Sequence, residues 1–215
     1  MSRTNFILAL SLATTLAGCA GGRHRPATAA APTVTLAPEP AWRQAIDQAD
    51  AQRIEALPTD WATAREQAAR RGARLLKAEG DLLKADAALD HPALPPGSYK
   101  CRSVTLKRAG VSKSPSFFCY VGGEAGERVS FTKQTGTALP GGWLYPDEAH
   151  RYVFLGARQK RAGDTSLGYG EDRSRDLVGV VERVGAFRWR LVLPGAEFQV
   201  YELTPVPVEQ QGAVG

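Results

Sequence analysis

Past residue 97 the chain reads as short strand-like runs cut apart by turn signals, and few architectures accept that pattern. The runs fall near residues 98–107, 116–121, 128–134, 142–145, 151–157, 176–184, 187–193 and 198–203. Gly122-Gly123, Pro140-Gly141-Gly142, Pro146-Asp147, Gly185-Ala186 and Pro194-Gly195 punctuate them. Such dipeptides favour backbone geometries that end a strand and reverse the chain. Strands this short, in about 110 residues, predict a small antiparallel barrel or sandwich. Alternation agrees: Phe187, Trp189, Leu191 and Leu193 share one face, with Arg188, Arg190 and Val192 on the other. Val129 and Phe131 share a face with Lys133. Tyr152 and Phe154 oppose Val153 and Leu155, which predicts a strand covered on both sides. Residues 159–175, rich in Gly, Asp and Arg, read as a long mobile loop.

Helical spacing precedes this region. Trp42, Ile46, Ala49, Arg53 or Ile54, and Leu57 recur at helical intervals, and Pro58 is expected to end that helix. Thr59 or Asp60 can cap a second helix, with Trp61, Ala64, Ala68, Leu75, Leu76, Leu82 and Leu83 on or near one stripe. Glu66 and Arg70 form an i,i+4 pair on its outer side, and Gly72 and Gly80 mark plausible breaks. The two segments read as an amphipathic arm. Trp42 and Trp61 are expected to pack on each other or on the next unit. The run His91-Pro92-Ala93-Leu94-Pro95-Pro96-Gly97 ends helical structure.

The N-terminus carries an address. Arg3 is followed by an apolar run from Phe6 to Leu16, which reads as a secretory signal. The run closes on Leu16-Ala17-Gly18-Cys19 and resembles the lipobox of bacterial lipoproteins. That resemblance implies cleavage before Cys19, diacylation of its thiol and acylation of the new amino group. Ala20, where the enteric sorting rule would need Asp for retention, implies transfer to the outer membrane. Residues 20–40 are rich in Ala, Pro, Thr and Gly, a composition that cannot bury enough surface to fold and reads as a tether. Fully extended, it reaches at most about 70 Å.

With Cys19 given to lipid, Cys101 and Cys119 remain as an even pair, and an oxidising compartment makes them a disulfide. A turn around Gly110-Val111-Ser112-Lys113 would bring their strands together. The chain-entropy model gives about 3 kcal/mol for a loop of this size. His24, His91 and His150 have no metal-like spacing to either cysteine, so no metal or cofactor is expected. The formal charge of +5 is mild, and the basic residues lie interspersed with acidic ones, an argument against nucleic acid as a partner.

Signals for catalysis are weak. There is no Gly-x-Ser-x-Gly, and neither His91 nor His150 has an obvious nucleophile beside it. Carboxylates suited to sugar hydrolysis are Glu171, Asp172, Asp176, Glu182 and Glu202. Glu182 and Glu202 interrupt apolar strands, with Arg183, Arg188 and Arg190 near enough in a meander to pair with them. That group reads either as a cross-strand ion-pair ladder or as a polar ligand site. Trp143 and Trp189 would line a pocket if the barrel were open at one end. The segment 136–142 lacks the Lys-Ser/Thr ending of a phosphate loop and reads as a hairpin turn.

From about residue 41 to 205 the chain resembles a domain-of-unknown-function family of alphaproteobacterial envelope lipoproteins. The resemblance rests on Pro96-Gly97-Ser98-Tyr99-Lys100-Cys101-Arg102, Phe118-Cys119-Tyr120-Val121 and Lys133-Gln134-Thr135-Gly136. It continues in Val153-Phe154-Leu155-Gly156-Ala157, Tyr169-Gly170, Arg175-Asp176, Glu182-Arg183-Val184, Arg188-Trp189-Arg190 and the Trp42 and Trp61 helices. It implies no catalytic residues. Tyr99-Lys100-Cys101 also resembles the opening strand of small barrel lipoproteins that inhibit lysozyme, but their Ser-Gly-x-x-Tyr loop is missing here.

The expected protein is α+β: a signal peptide (1–18), a lipidated cysteine and tether (19–40), a helical arm (41–91), a small calycin-like antiparallel barrel stapled by one disulfide (92–206) and a disordered tail (207–215). The expected role is non-enzymatic, in the bacterial envelope, lipid-anchored and facing the periplasm. Its partner would be an envelope protein or a small apolar or glycan-like ligand. The alternatives are inhibition of a lysozyme or protease, and a hydrolase with an acidic site.

Overall fold

A computed structural model describes residues 39–137, 140–161 and 168–210. The expected signal peptide, Cys19 and nearly all of the tether lie outside these residues, as do 211–215 of the expected tail. Val208–Gln210, within that tail, form a single 3-10 turn.

The arm consists of α1 (Ala41–Ala45), α2 (Gln48–Glu55), α3 (Leu57–Glu79) and a 3-10 turn (Gly80–Leu83). The single helix expected from Trp42 to Leu57 is broken, because Ile46 adopts an extended conformation. Asp47 then caps α2 by accepting from the Ala49 N–H at 2.9 Å. Pro58 does not end a helix; it sits in the first turn of α3, where its missing N–H costs nothing. The expected stripe is present in Leu57, Trp61, Ala68 and Leu76, but Leu75 turns to solvent.

The remainder is a nine-stranded antiparallel sheet: β1 (Gly97–Lys107), β2 (Gly110–Lys113), β3 (Phe117–Ala125), β4 (Arg128–Lys133), β5 (Pro140–Asp147), β6 (Arg151–Arg158), β7 (Asp176–Gly185), β8 (Arg188–Leu193) and β9 (Phe198–Pro205). It runs as a meander and closes through β1–β9 pairing from Tyr99↔Pro205 to Leu106↔Phe198, so no long strand edge is left open. The additional strand is β2. The expected turn at Gly110–Lys113 is instead a strand paired with Val104–Lys107, and the chain reverses at Arg108-Ala109. One edge of β1 is thus shared, β3 taking Gly97–Cys101 and β2 the rest. Tyr99 sits opposite Cys119, and Cys101 and Cys119 are disulfide-bonded with Cα atoms 6.2 Å apart.

Sharp curvature needs inward positions without a Cβ. A Cβ on Gly156 would lie 2.2 Å from the Gly141 carbonyl oxygen, and one on Gly179 2.1 Å from that of Val192. Glycine at these strand interiors lets the sheet bend tightly into a barrel.

Alternation creates two cores. The inward residues fill the barrel with Tyr99, Phe117, Val121, Phe131, Leu144, Phe154, Trp189, Leu191, Tyr201 and Leu203. Edge-to-face pairs pack them: Tyr99–Trp189, Phe117–Tyr201 and Phe131–Phe154, centroids 5.8–6.2 Å apart. The outward residues Val104, Leu106, Val153, Leu155, Val178, Val180, Val192, Phe198 and Val200 meet the arm through Trp42, Ile54, Leu57, Trp61, Leu82 and Leu83. Trp61 rests edge-on against Phe198 at 5.3 Å and donates to the Leu83 carbonyl at 3.1 Å. The tryptophans of the arm therefore pack on the barrel wall. Phe187, expected on the inward face, lies beyond the first residue of β8 and is 74% exposed.

The proline-rich junction is also more than a helix stop. Leu94 joins the inner core, Tyr99 donates its hydroxyl to the Pro95 carbonyl at 2.6 Å, and Trp189 donates its indole N–H to Pro92 at 3.0 Å. This segment closes one end of the barrel.

Candidate functional site

Of the charged residues singled out in the strands, Glu182, Arg188, Arg190 and Glu202 face outward on β7, β8 and β9, under the end of the arm, whereas Arg183 lies in register with the inward Trp189. Arg190 lies opposite both Glu182 and Glu202 in register. It is fully buried and donates Nε to Glu182 at 2.7 Å. Its remaining N–H groups reach the carbonyls of Asp81, Leu82, Lys84 and Ala85 at 2.5–3.2 Å. Its guanidinium stacks on the Trp61 ring, 4.3 Å from the centroid. Burial pulls this guanidinium below its ordinary pKa, and Glu182 opposes the shift.

A second chain of charges runs beside it. Arg188 and Arg102 both donate to Glu202. Arg102 also reaches Glu79 at 2.6 Å, and Lys113 pairs with the other Glu79 oxygen. Burial disfavours ionised Glu79, but Arg102 and Lys113 outweigh it and hold the carboxyl below the usual range. Arg183 donates to the Asp90 carbonyl at 3.0 Å. The arrangement ties the arm and its exit segment to the barrel wall. Arg190 holds Glu182 Oε2, and both oxygens of Glu202 face guanidinium groups.

The two tryptophans do not meet in a pocket. Trp189 points into the barrel, whereas Trp143 is half-buried on the outer wall beneath the Arg128 guanidinium, 4.6 Å from its centroid. Among the other candidates, Glu171 and Asp172 are exposed, and Asp172 is taken by Ser174 at 2.6 Å. His150 sits 2.7 Å from Asp90, both exposed, and His91 lies at the surface with a positive φ of 59°. Among the described residues, no three His, Cys, Asp or Glu side chains gather to hold a metal ion.

At the opposite end of the barrel β6 and β8 finish and β5, β7 and β9 begin. A cleft of about 450 Å3 opens there over Leu177, Leu193 and Tyr201, with Arg158, Gln199 and the carboxylates Asp176 and Glu197 around it. Burial pushes the Tyr201 phenol up to about 12, so it stays protonated, and it donates to Gln199 at 3.3 Å. Lys133 enters the barrel from this end, its ammonium 4.0 Å from the Phe117 centroid, and burial pulls it below its ordinary pKa. Arg158 makes no side-chain hydrogen bond or ion pair with a described residue. Arg53 borders the cleft, tied to Asp50 at 2.9 Å and to the Pro194 carbonyl at 2.9 Å.

One wall of this end is held by a network that the pattern of the strands did not reveal. Tyr169 donates to the buried carboxylate of Asp50 at 2.6 Å and accepts from the Asp47 N–H at 3.1 Å. Arg173 bridges Asp47 at 3.1 Å, Asp50 at 3.6 Å and Asp176 at 3.3 Å. Residues 168–175 are thereby fastened to α2, whereas the expectation for the whole segment was a mobile loop; residues 162–167 lie outside the described ones. The only sequence signal was that Tyr169-Gly170 and Arg175-Asp176 stand among the motifs that carried the family resemblance.

A closed eight-stranded barrel with an arm bolted to its outer wall and a cleft at one mouth places the protein among small disulfide-stapled barrel domains. The chain belongs to the family described as a domain of unknown function, DUF4893, which it matches over residues 42–203. The matched span runs from the first buried tryptophan of the arm to the last inward leucine of β9, so arm and barrel form one family unit. None of the curated proteins matches the chain.

Proposed function

We propose that this protein is a non-enzymatic, lipid-anchored component of the bacterial envelope that holds a small amphipathic acid at the open mouth of its barrel. The observation that carries the reading is the mouth cleft itself, an apolar floor beside the guanidinium of Arg158, which pairs with no carboxylate among the described residues, while the cleft's own carboxylates, Asp176 and Glu197, are paired with Arg173 and Lys107. Its volume, about 450 Å3, lies in the range of small-molecule sites. The ligand would be held at the mouth rather than within the barrel, because aromatic side chains occupy the interior. A role in binding rather than hydrolysis is supported by the commitment of Glu182 and Glu202 to arginines.

The anchoring and the outer-membrane location rest on Leu16-Ala17-Gly18-Cys19 and Ala20. They are tested by incorporation of a labelled fatty acid, which Cys19→Ala should abolish. The binding reading is tested with anilinonaphthalene sulfonate, an aromatic body carrying an acidic group. Saturable fluorescence enhancement is expected, weakened at least tenfold by Arg158→Glu and unchanged by Arg43→Glu. Absence of saturation, or equal loss in both variants, would sink it.

A further inference from the structure

Helix α3 crosses the β1–β2 hairpin unusually closely. A Cβ on Gly72 would lie 2.9 Å from Val111 Cγ2 and 3.0 Å from the Val111 nitrogen. Gly72 also leaves helical geometry, with φ −129° and ψ 17°, so the helix kinks at the crossing. On the hairpin side Gly110 takes a φ of 120°, which L side chains rarely adopt, and its Cβ position faces the Arg71 carbonyl at 3.6 Å. Glycine on both partners lets the backbones meet.

This contact sets the turn residue Arg108 beside Arg70 and Arg71 of the helix. Together with Gln67 and Ala109 they line a cleft of about 590 Å3. Every polar side chain in its lining is a hydrogen-bond donor, and no carboxylate is among them. Arg70 has a partner in Glu66 at 3.2 Å, but both ends of that pair are exposed and hold each other weakly. Arg71 and Arg108 make no ion pair or side-chain hydrogen bond with a described residue. Like charges brought together in a concave surface raise the local anion concentration. Guanidinium groups present paired N–H donors that match the oxygens of a phosphate.

We propose that this cleft binds a phosphate group, gripped by Arg71 and Arg108 with Arg70 and Gln67 at its rim. It shares no lining residue with the mouth cleft, so it stands or falls independently of the ligand placed there. The group could be carried by a free phosphorylated molecule or by a lipid headgroup, and the two sources are separable.

The test is calorimetric titration of the full chain with inorganic phosphate, glycerol phosphate and monomeric dihexanoyl phosphatidic acid. Saturable binding of at least one is expected, weakened tenfold or more in the double variant Arg71→Ala/Arg108→Ala. Arg43→Ala, which removes a cation paired with Glu55 on α1 and α2, should leave it unchanged. Tighter binding of the phosphatidic acid assigns the site to headgroups; equal or tighter binding of glycerol phosphate assigns it to free phosphorylated molecules. The substituted arginines are exposed, so the variant keeps its fold, and thermal melting checks this. No saturation by any probe, or a matching loss in Arg43→Ala, overturns the proposal.

Discussion

Inside the barrel, the wall presents rings and aliphatic chains that touch one another; on its covered outer side, the same strands present valines flanked by a buried arginine and a row of ion pairs. The inner core is made by the sheet closed upon itself, with Leu94 of the junction added at one end. Its residues need only be apolar and complementary in shape, since strand pairing already sets their positions. The outer core is a joint between two elements that could slide. There Arg190 reads the helix end: its N–H groups meet four consecutive-region carbonyls, from Asp81 to Ala85, only when the arm sits in one place. Charge at this joint supplies registration, while apolar contact supplies most of the attraction.

If the two cores differ in this way, substitutions should separate them. Phe154→Ala removes an inner ring that contacts Phe131 at 6.0 Å, and should cost about 3–5 kcal/mol. Urea unfolding should remain one transition, because a cavity inside the closed sheet weakens every strand. Arg190→Ala should cost about 3–4 kcal/mol, since Glu182 loses its partner in a largely buried setting. Its loss should be local: hydrogen exchange and proteolysis should rise first in residues 80–91. Replacing both partners, Glu182→Met with Arg190→Met, should recover only part of it, because the helix-end carbonyls stay unanswered. Full recovery would show that registration is not the job of Arg190. Uniform exchange across inner and outer strands in Arg190→Ala would erase the distinction between the cores.

The smallest effect belongs to the rim. Glu79→Gln should cost about 1.5 kcal/mol at neutral pH by weakening its bonds to Arg102 and Lys113. Because the folded state holds this carboxyl below its ordinary 4.5, its contribution is complete above that value and is lost as pH falls through the lowered one. The gap in unfolding free energy between wild type and Glu79→Gln should therefore close on acidification. A gap that persists at the lowest accessible pH would mean that packing, not charge, explains the effect.

Much of this comparison was legible from residue order. Period-two alternation separates Trp189, Leu191 and Leu193 from Arg188, Arg190 and Val192, and the apolar run of β6 announces cover on both sides. Cross-strand pairing of Glu182 with Arg190 was readable because a meander places successive strands side by side. The carbonyls that complete Arg190 were not, since backbone groups at a helix end carry no side-chain signature. Local propensity also misplaced boundaries. Gly110 reads as a turn centre, yet the hairpin reverses one step earlier and spends that glycine on contact with Gly72. Ile46 fits the helical stripe, but the chain must bend there for Trp42 to reach the wall.

The candidate binding regions were the least legible. Arg158 and Tyr201 lie far apart in sequence and meet only because β6 and β9 open at the same mouth. Arg71 and Arg108 meet only because a helix crosses a hairpin. The sequence by itself determined the strand content, the inward and outward sets, the cysteine pair and the presence of an amphipathic arm, since these follow from short-range spacing and composition. Closure through β1 and β9, the burial of the charged ladder, the plug formed by Pro92–Pro95 residues and both clefts were decided by tertiary structure. They depend on distances between segments far apart in the chain, which short-range periodicity does not encode.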